Sequence, residues 1–205
     1  NMKNEFKVIS HFIEKNSKIL DVGCGDGELM KILKNSKTEN IRGLELSKFN
    51  VQKCISKGLT VIEGNAEDDL KQFPNLSFDY VILSQTLQAF LNPENVMNEL
   101  LRVGKKAIVT IPNFGFWKVR LQLLFKGTMP VTENLPNEWY NTPNLHMCTI
   151  KDFFNFCISR KINVCNALAL NSNQDDWIER KSTITNKNLE KKNFCSEIGI
   201  FLLER

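Results

Sequence analysis

Apolar positions along the chain alternate between two periods. Phe6, Ile9, Phe12 and Ile13 repeat at helical spacing, and a short β-rich run over residues 18–22 follows, stopped by glycines. Leu29, Ile32 and Leu33 return to the helical period before a second strand at 41–46. Ser47 is placed to cap a helix carrying Val51, Cys54 and Ile55, which Gly58 ends, and 59–62 reads as a third strand. Strands at 78–83 and 105–111 enclose a helix over 94–103, and Pro112 halts the second of them. A helix at 151–161 and strands at 162–170 and 198–203 complete the pattern. This order predicts the α/β class: an open, mostly parallel sheet of seven strands with helices on both faces.

Two stretches break the alternation. Residues 112–147 hold most of the prolines and two of the three tryptophans, and read as an inserted lid or docking segment. Residues 171–193, polar and rich in Asn and Lys, predict a surface loop or long hairpin. No repeat or linker divides the 205 residues, so a single domain over 1–205 is expected. Asn1 ahead of Met2 reads as the remnant of a tag.

Composition narrows the chemistry. Six cysteines stand at irregular spacings with no CxxC pair, and only His11 and His146 are present, so neither a disulfide framework nor a metal site is expected. The formal charge of +4 comes from dispersed Lys and Arg, which argues against a nucleic-acid partner. Apolar runs are too short for a membrane span, and no charged-then-apolar leader is seen; the expected location is cytoplasmic.

The most informative segment is Leu20-Asp21-Val22-Gly23-Cys24-Gly25-Asp26-Gly27-Glu28. Glycines permit a sharp turn and close approach of a ligand, and the following helix presents free N–H groups. A dinucleotide loop would need a third glycine where Glu28 stands, and a pyrophosphate would meet Asp26 and Glu28. A loop framed by carboxylates suits a ligand that also carries positive charge, such as S-adenosylmethionine or its demethylated product, S-adenosylhomocysteine. The bland reading is a tight strand–helix turn with no ligand. Glu45 ends the second strand and can accept hydrogen bonds from two ribose hydroxyls, or simply sit as an acid beside a helix N-terminus. The turn Glu63-Gly64-Asn65-Ala66-Glu67 is similar to one in which class I methyltransferases commonly set an Asp against the adenine amino group; Asn65 takes that position here, and its side-chain carbonyl can still accept such a bond. Ser84 and Gln85 lie at the carboxyl end of the fourth strand, where open α/β sheets bind ligands. Asp79, at the other end, reads as structural.

The acid-x-Gly-x-Gly-x-Gly pattern beginning at Asp21 resembles the first motif of class I methyltransferases. Farther on, the runs Ser84-Gln85-Thr86-Leu87-Gln88, Ile111-Pro112-Asn113-Phe114-Gly115, Val119-Arg120-Leu121-Gln122-Leu123-Leu124, Met129-Pro130-Val131-Thr132 and Trp139-Tyr140-Asn141-Thr142-Pro143-Asn144-Leu145-His146 resemble the MetW family of methionine biosynthesis proteins. The resemblance spans nearly the whole chain and weakens after Leu170. It implies a Rossmann-like class I methyltransferase fold, a cofactor held by Asp21, Gly23, Cys24, Gly25, Gly27, Glu45, Leu46, Asn65, Ala66, Ser84 and Gln85, and a partner, homoserine O-acyltransferase. It implies no methyl acceptor. The sequence departs from the usual family pattern at Ala89-Phe90-Leu91-Asn92, where basic residues are common; if that loop meets a partner, the departure bears on partner affinity.

No nucleophile–base pair is legible. His146 is a candidate base or a residue satisfying backbone groups in a Pro-rich turn. Phe114, Phe116, Trp117, Leu121, Leu124 and Phe125 form an apolar stripe that can face the core, close as a lid or dock a partner. Trp139 and Tyr140 either wall an acceptor pocket or pack on the sheet.

Overall fold

The structure, a computed structural model, describes residues 3–172 and 178–205. In chain order the elements are α1 (Asn4–Phe12), β1 (Ile19–Val22), α2 (Glu28–Ser36), β2 (Ile41–Glu45), α3 (Lys48–Ser56), β3 (Val61–Glu63), α4 (Ala66–Asp69), β4 (Phe78–Ser84), α5 (Pro93–Val103), β5 (Gly104–Pro112), α6 (Trp117–Lys126), α7 (Ile150–Ser159), β6 (Asn163–Leu170), α8 (Glu179–Ser182), α9 (Leu189–Cys195) and β7 (Ile198–Glu204). The strands form one sheet in the order β3-β2-β1-β4-β5-β7-β6. Every pairing is parallel except those of β7, which runs antiparallel to β5 and β6.

Both faces of the sheet are buried at its central strands β1, β4 and β5, which is why these read as largely apolar runs. Val81 and Leu83 of β4 join Leu100, Phe153 and Phe201 in one core. Tyr80 and Ile82, one residue out of step, join Ile9, Ile13, Met30 and Ile200 in the other. The expected helix ends hold where capping chemistry sets them. Ser47 Oγ accepts from Asn50 N at 3.4 Å, and Gly58 turns left-handed at φ 71°. Leu59 N closes that helix on Cys54 O at 3.0 Å, so β3 starts at Val61 rather than at 59. Among the described residues no helix is long and apolar enough to cross a membrane.

The stretch 171–193 departs from expectation: its described residues include α8 and α9 rather than only a loop or hairpin. Leu189 and Asn193 are buried on α9, which packs against α7; a single apolar turn within a polar run left too weak a period to read. Trp177 lies outside the described residues.

Asn113, 2 % exposed, ties these parts together. Its Nδ2 donates to Asn193 O and Ser196 O, both at 2.7 Å, while its Oδ1 accepts from Gly115 N at 2.9 Å and Ile150 N at 3.1 Å. One amide thereby joins the end of β5, the start of α7 and the α9–β7 turn. Asn113→Ala leaves buried donors and acceptors unmade, and is expected to cost about 3 kcal/mol, a fall in Tm of roughly 6–12 °C in a thermal melt.

Candidate functional site

The glycine loop joins β1 to α2 at the carboxyl edge of the sheet. Gly23, Gly25 and Gly27 all have positive φ, 68°, 56° and 80°. A side chain at Gly25 would meet nothing within 4 Å, whereas one at Gly27 would lie 2.4 Å from Leu59 Cδ1. Gly27 is thus required for packing onto α3, and Gly25 borders open space. Backbone bonds seat the loop: Gly23 N donates to Leu44 O at 2.7 Å and Gly27 N to Cys24 O at 3.1 Å. Cys24 itself is buried beneath the turn, and burial raises its thiol above the usual range.

Glu45 is part of the loop's scaffold. Its Oε2 accepts from Gly25 N at 2.8 Å and its Oε1 from Ser47 N at 2.9 Å. Each oxygen keeps a second acceptor direction. Leu46 beside it is 69 % exposed, an apolar side chain turned to solvent.

Asp21 is the unusual residue. It is 2 % exposed within an apolar strand, where carboxylates are seldom found unpaired. Burial, followed by the nearby Glu45 carboxylate, pushes its carboxyl up to about 8, and among the described residues no hydrogen bond offsets this. Asp26 and Glu28, by contrast, are partly exposed and each faces a lysine. Asp26 takes Lys57 Nζ at 2.8 Å, which holds its carboxyl below the usual range, and Glu28 lies 3.7 Å from Lys3. Asp21 and Glu45, rather than the two acids that the spacing made conspicuous, are the buried carboxyls beside the loop.

Asn65 caps α4, its Oδ1 accepting from Glu67 N at 3.1 Å, and Ala66 is buried behind it. Ser84 and Gln85 turn their side chains toward α1: Ser84 Oγ donates to Glu5 Oε1 at 2.8 Å and Gln85 Nε2 to Glu5 Oε2 at 2.6 Å. Sequence reasoning missed Glu5. The signal was present, because Glu5 falls in register with Val8, Ile9 and Phe12 on the buried face of α1, and a carboxylate in an apolar stripe calls for a reason. Asp79 accepts from Lys18 N at 2.8 Å and pairs with Lys105, at the opposite edge, as expected of a structural residue.

His146 is held by the turn that follows β4. Its backbone N–H donates to Gln88 O at 3.0 Å, and it lines an apolar cavity of about 310 Å³ with Leu87, Met97, Phe153 and Phe156, on the α5–α7 face. Ser84 and Gln85 do not line that cavity. Phe116 is buried in a small cluster with Val119 and Leu135, and Trp117 meets it edge-on at 5.8 Å. Beyond them the stripe turns outward: Leu124 is 74 % and Phe125 77 % exposed. Trp139 and Tyr140 form an edge-on pair at 5.7 Å, both largely exposed.

The strand order, the one antiparallel strand and a glycine loop after β1 define the class I methyltransferase fold. Solved structures agree. An S-adenosylmethionine-dependent methyltransferase of Thermotoga maritima, described as a possible histamine N-methyltransferase, superposes with a TM-score of 0.69 at 17 % identity, over 98 % of this chain and 88 % of that one. One from Mesorhizobium loti has a TM-score of 0.69 at 14 % identity, over 98 % of both chains. The chain belongs to the family described as Methionine biosynthesis protein MetW, which matches residues 3–203. A bifunctional methionine biosynthesis protein MetXA/MetW of Rhodopirellula baltica is 33 % identical over 153 residues, 70 % of this chain. The chain spans only 25 % of that relative's length.

Proposed function

We propose that this methyltransferase-fold protein of methionine biosynthesis binds S-adenosylmethionine or its demethylated product at the glycine loop and serves as a regulatory subunit of a homoserine O-acyltransferase. The observation that carries the binding half is Asp21. A buried carboxyl with no donor among the described residues, on the strand that leads into the glycine loop, is stabilised by an arriving ammonium, and the two nucleoside forms share one on their amino-acid end. Glu45, with acceptor directions left over, fits sugar hydroxyls. Leu46 offers an apolar surface to a base, and Asn65 retains acceptor capacity for an amino group. Calorimetric titration with both nucleosides tests this: binding of either supports the reading, and binding of neither overturns it. A preference for the demethylated product points to feedback sensing.

The partnership rests on the family resemblance and is supported by the name of the Rhodopirellula relative, which joins MetXA and MetW in one chain. The exposed apolar residues of α6 and the irregular run after it are the surface proposed to dock. Leu124 and Phe125 touch solvent rather than core, so Leu124→Asp with Phe125→Asp is expected to leave the melting curve unchanged and to abolish co-purification with the acyltransferase, about a hundredfold loss when two apolar anchors are removed. Acyltransferase activity measured with and without the chain then decides the regulatory role; equal activity would end it.

A second reading, methyl transfer to a small metabolite, is favoured by the cavity at Glu5, next to the glycine cleft. Formation of S-adenosylhomocysteine from a metabolite pool would establish it. Positioning alone supplies much of the rate for such a displacement, so the lack of a nucleophile–base pair does not exclude it.

A further inference from the structure

A cavity of about 330 Å³ opens on the α1 side of the sheet, where Glu5, Gln85, Glu133, Asn134, Asn171 and Lys3 are among the residues that line it. Glu5 is 6 % exposed. Its carboxylate accepts from Ser84 Oγ, Thr110 Oγ1 and Gln85 Nε2. All three donors are neutral, and among the described residues no Lys, Arg or His forms an ion pair with Glu5. A buried carboxylate held only by neutral donors is costly to the fold, and a cation brought to it recovers part of that cost.

Two further observations point the same way. Gln85 sits at φ 48°, a conformation rarely adopted outside glycine and one that collects at binding sites. That turn lets Gln85 N donate to Thr110 Oγ1 at 3.0 Å while its side chain reaches Glu5. The second carboxylate on the cavity, Glu133, is exposed, whereas the lysine there, Lys3, is engaged by Glu28 at 3.7 Å. The local charge is negative, the lining is rich in amides, and the volume is at the small end for metabolite sites.

The geometry points to a second ligand site, for a small primary ammonium that carries further hydrogen-bonding groups, with the cation against Glu5. The ligand's role rests on the reading given under Proposed function, because Gln85 stands at the end of β4 that borders both sites; its binding does not.

The test uses the full chain and three probes, ethanolamine, 1,4-diaminobutane and L-homoserine, each paired with its N-acetyl counterpart, in calorimetry with and without S-adenosylmethionine. At least one amine is expected to bind with Kd below about 10 mM, and its acetylated counterpart about tenfold or more weaker, because acetylation removes the charge. Glu5→Gln, close in shape, is expected to weaken the amine about tenfold and to leave S-adenosylmethionine affinity within about twofold. Should Glu5→Gln fail to fold, the exposed Glu133→Gln serves instead, with about a threefold loss expected for a single rim charge. The proposal is overturned if no probe binds, if the acetylated forms bind equally well, or if neither variant weakens binding. Nucleoside binding is read separately on the same protein, so failure at one site is distinguishable from failure at the other.

Discussion

Asp21→Asn is expected to abolish nucleoside binding while making the protein more stable. In the folded chain the carboxyl has risen from 3.8 to about 8, through burial first and Glu45 second. The folded state therefore holds a proton that the unfolded chain releases. Stability associated with this group is fully present below pH 3.8, declines as pH rises toward 8, and is flat beyond. An amide at position 21 has no proton to lose, so the variant should match wild type near pH 4 and melt about 5 °C or more higher at pH 8. Binding moves the opposite way. An ammonium in the cleft requires the ionised carboxylate, and removing one partner of a desolvated charge pair costs about a hundredfold or more in affinity. The same linkage predicts that wild-type affinity climbs by up to about tenfold per pH unit between pH 6 and 8, as one proton leaves on binding. Calorimetry and thermal melts at pH 5, 6.5 and 8 check all three; an Asp21→Asn chain with wild-type affinity would remove Asp21 from the site.

The second large effect is expected at Gly25. Its φ of 56° disfavours any side chain, and the Cβ direction opens on empty space. Gly25→Val should place a branched side chain where the ligand's path is proposed, and loss of binding should be complete at accessible concentrations. Backbone strain alone costs about 1–2 kcal/mol, so a control is needed. Gly127 supplies it, with φ 63° and likewise nothing within 4 Å, at the end of α6. Gly127→Val should lose similar stability and keep full affinity. Two variants equally impaired, or a Gly25→Val chain that still binds, would show that strain and not the cleft was being read.

These tests separate scaffold from site, which the molecule has partly merged. Glu45 holds the glycine loop through Gly25 and Ser47 and is also the acceptor proposed for a sugar. Ser84 and Gln85 end a strand and also hold Glu5. Residues with two tasks are poor choices for first mutations, because loss of binding there has two explanations. Asp21 is a better choice, since its replacement is expected to raise stability.

Much of this architecture was written in local patterns. The period of apolar residues, the Ser47 cap and the glycine spacing after a buried strand depend on neighbours within about one turn, so seven strands, their order of appearance and the glycine loop were legible in the chain. The boundaries set by distant partners were not. Helix α9 owes its buried face to α7 and to Asn113, eighty residues away, and its own sequence carries little sign of it.

Charge is where tertiary structure decided most. From spacing alone, Asp26 and Glu28 looked like the acids that would select a cationic ligand, and Glu5 drew no notice beside the apolar period of α1. Folding pairs Asp26 with Lys57 and Glu28 with Lys3, while it buries Asp21 and Glu5 without a cation among the described residues. A sequence lists its ionisable groups but not the dielectric around them or the counter-ions brought within reach, and those two quantities determine which carboxylates remain able to act. The surroundings of His146 were likewise a tertiary matter, since its backbone N–H bonds to Gln88 O in the turn after β4 and it lines the cavity between α5 and α7.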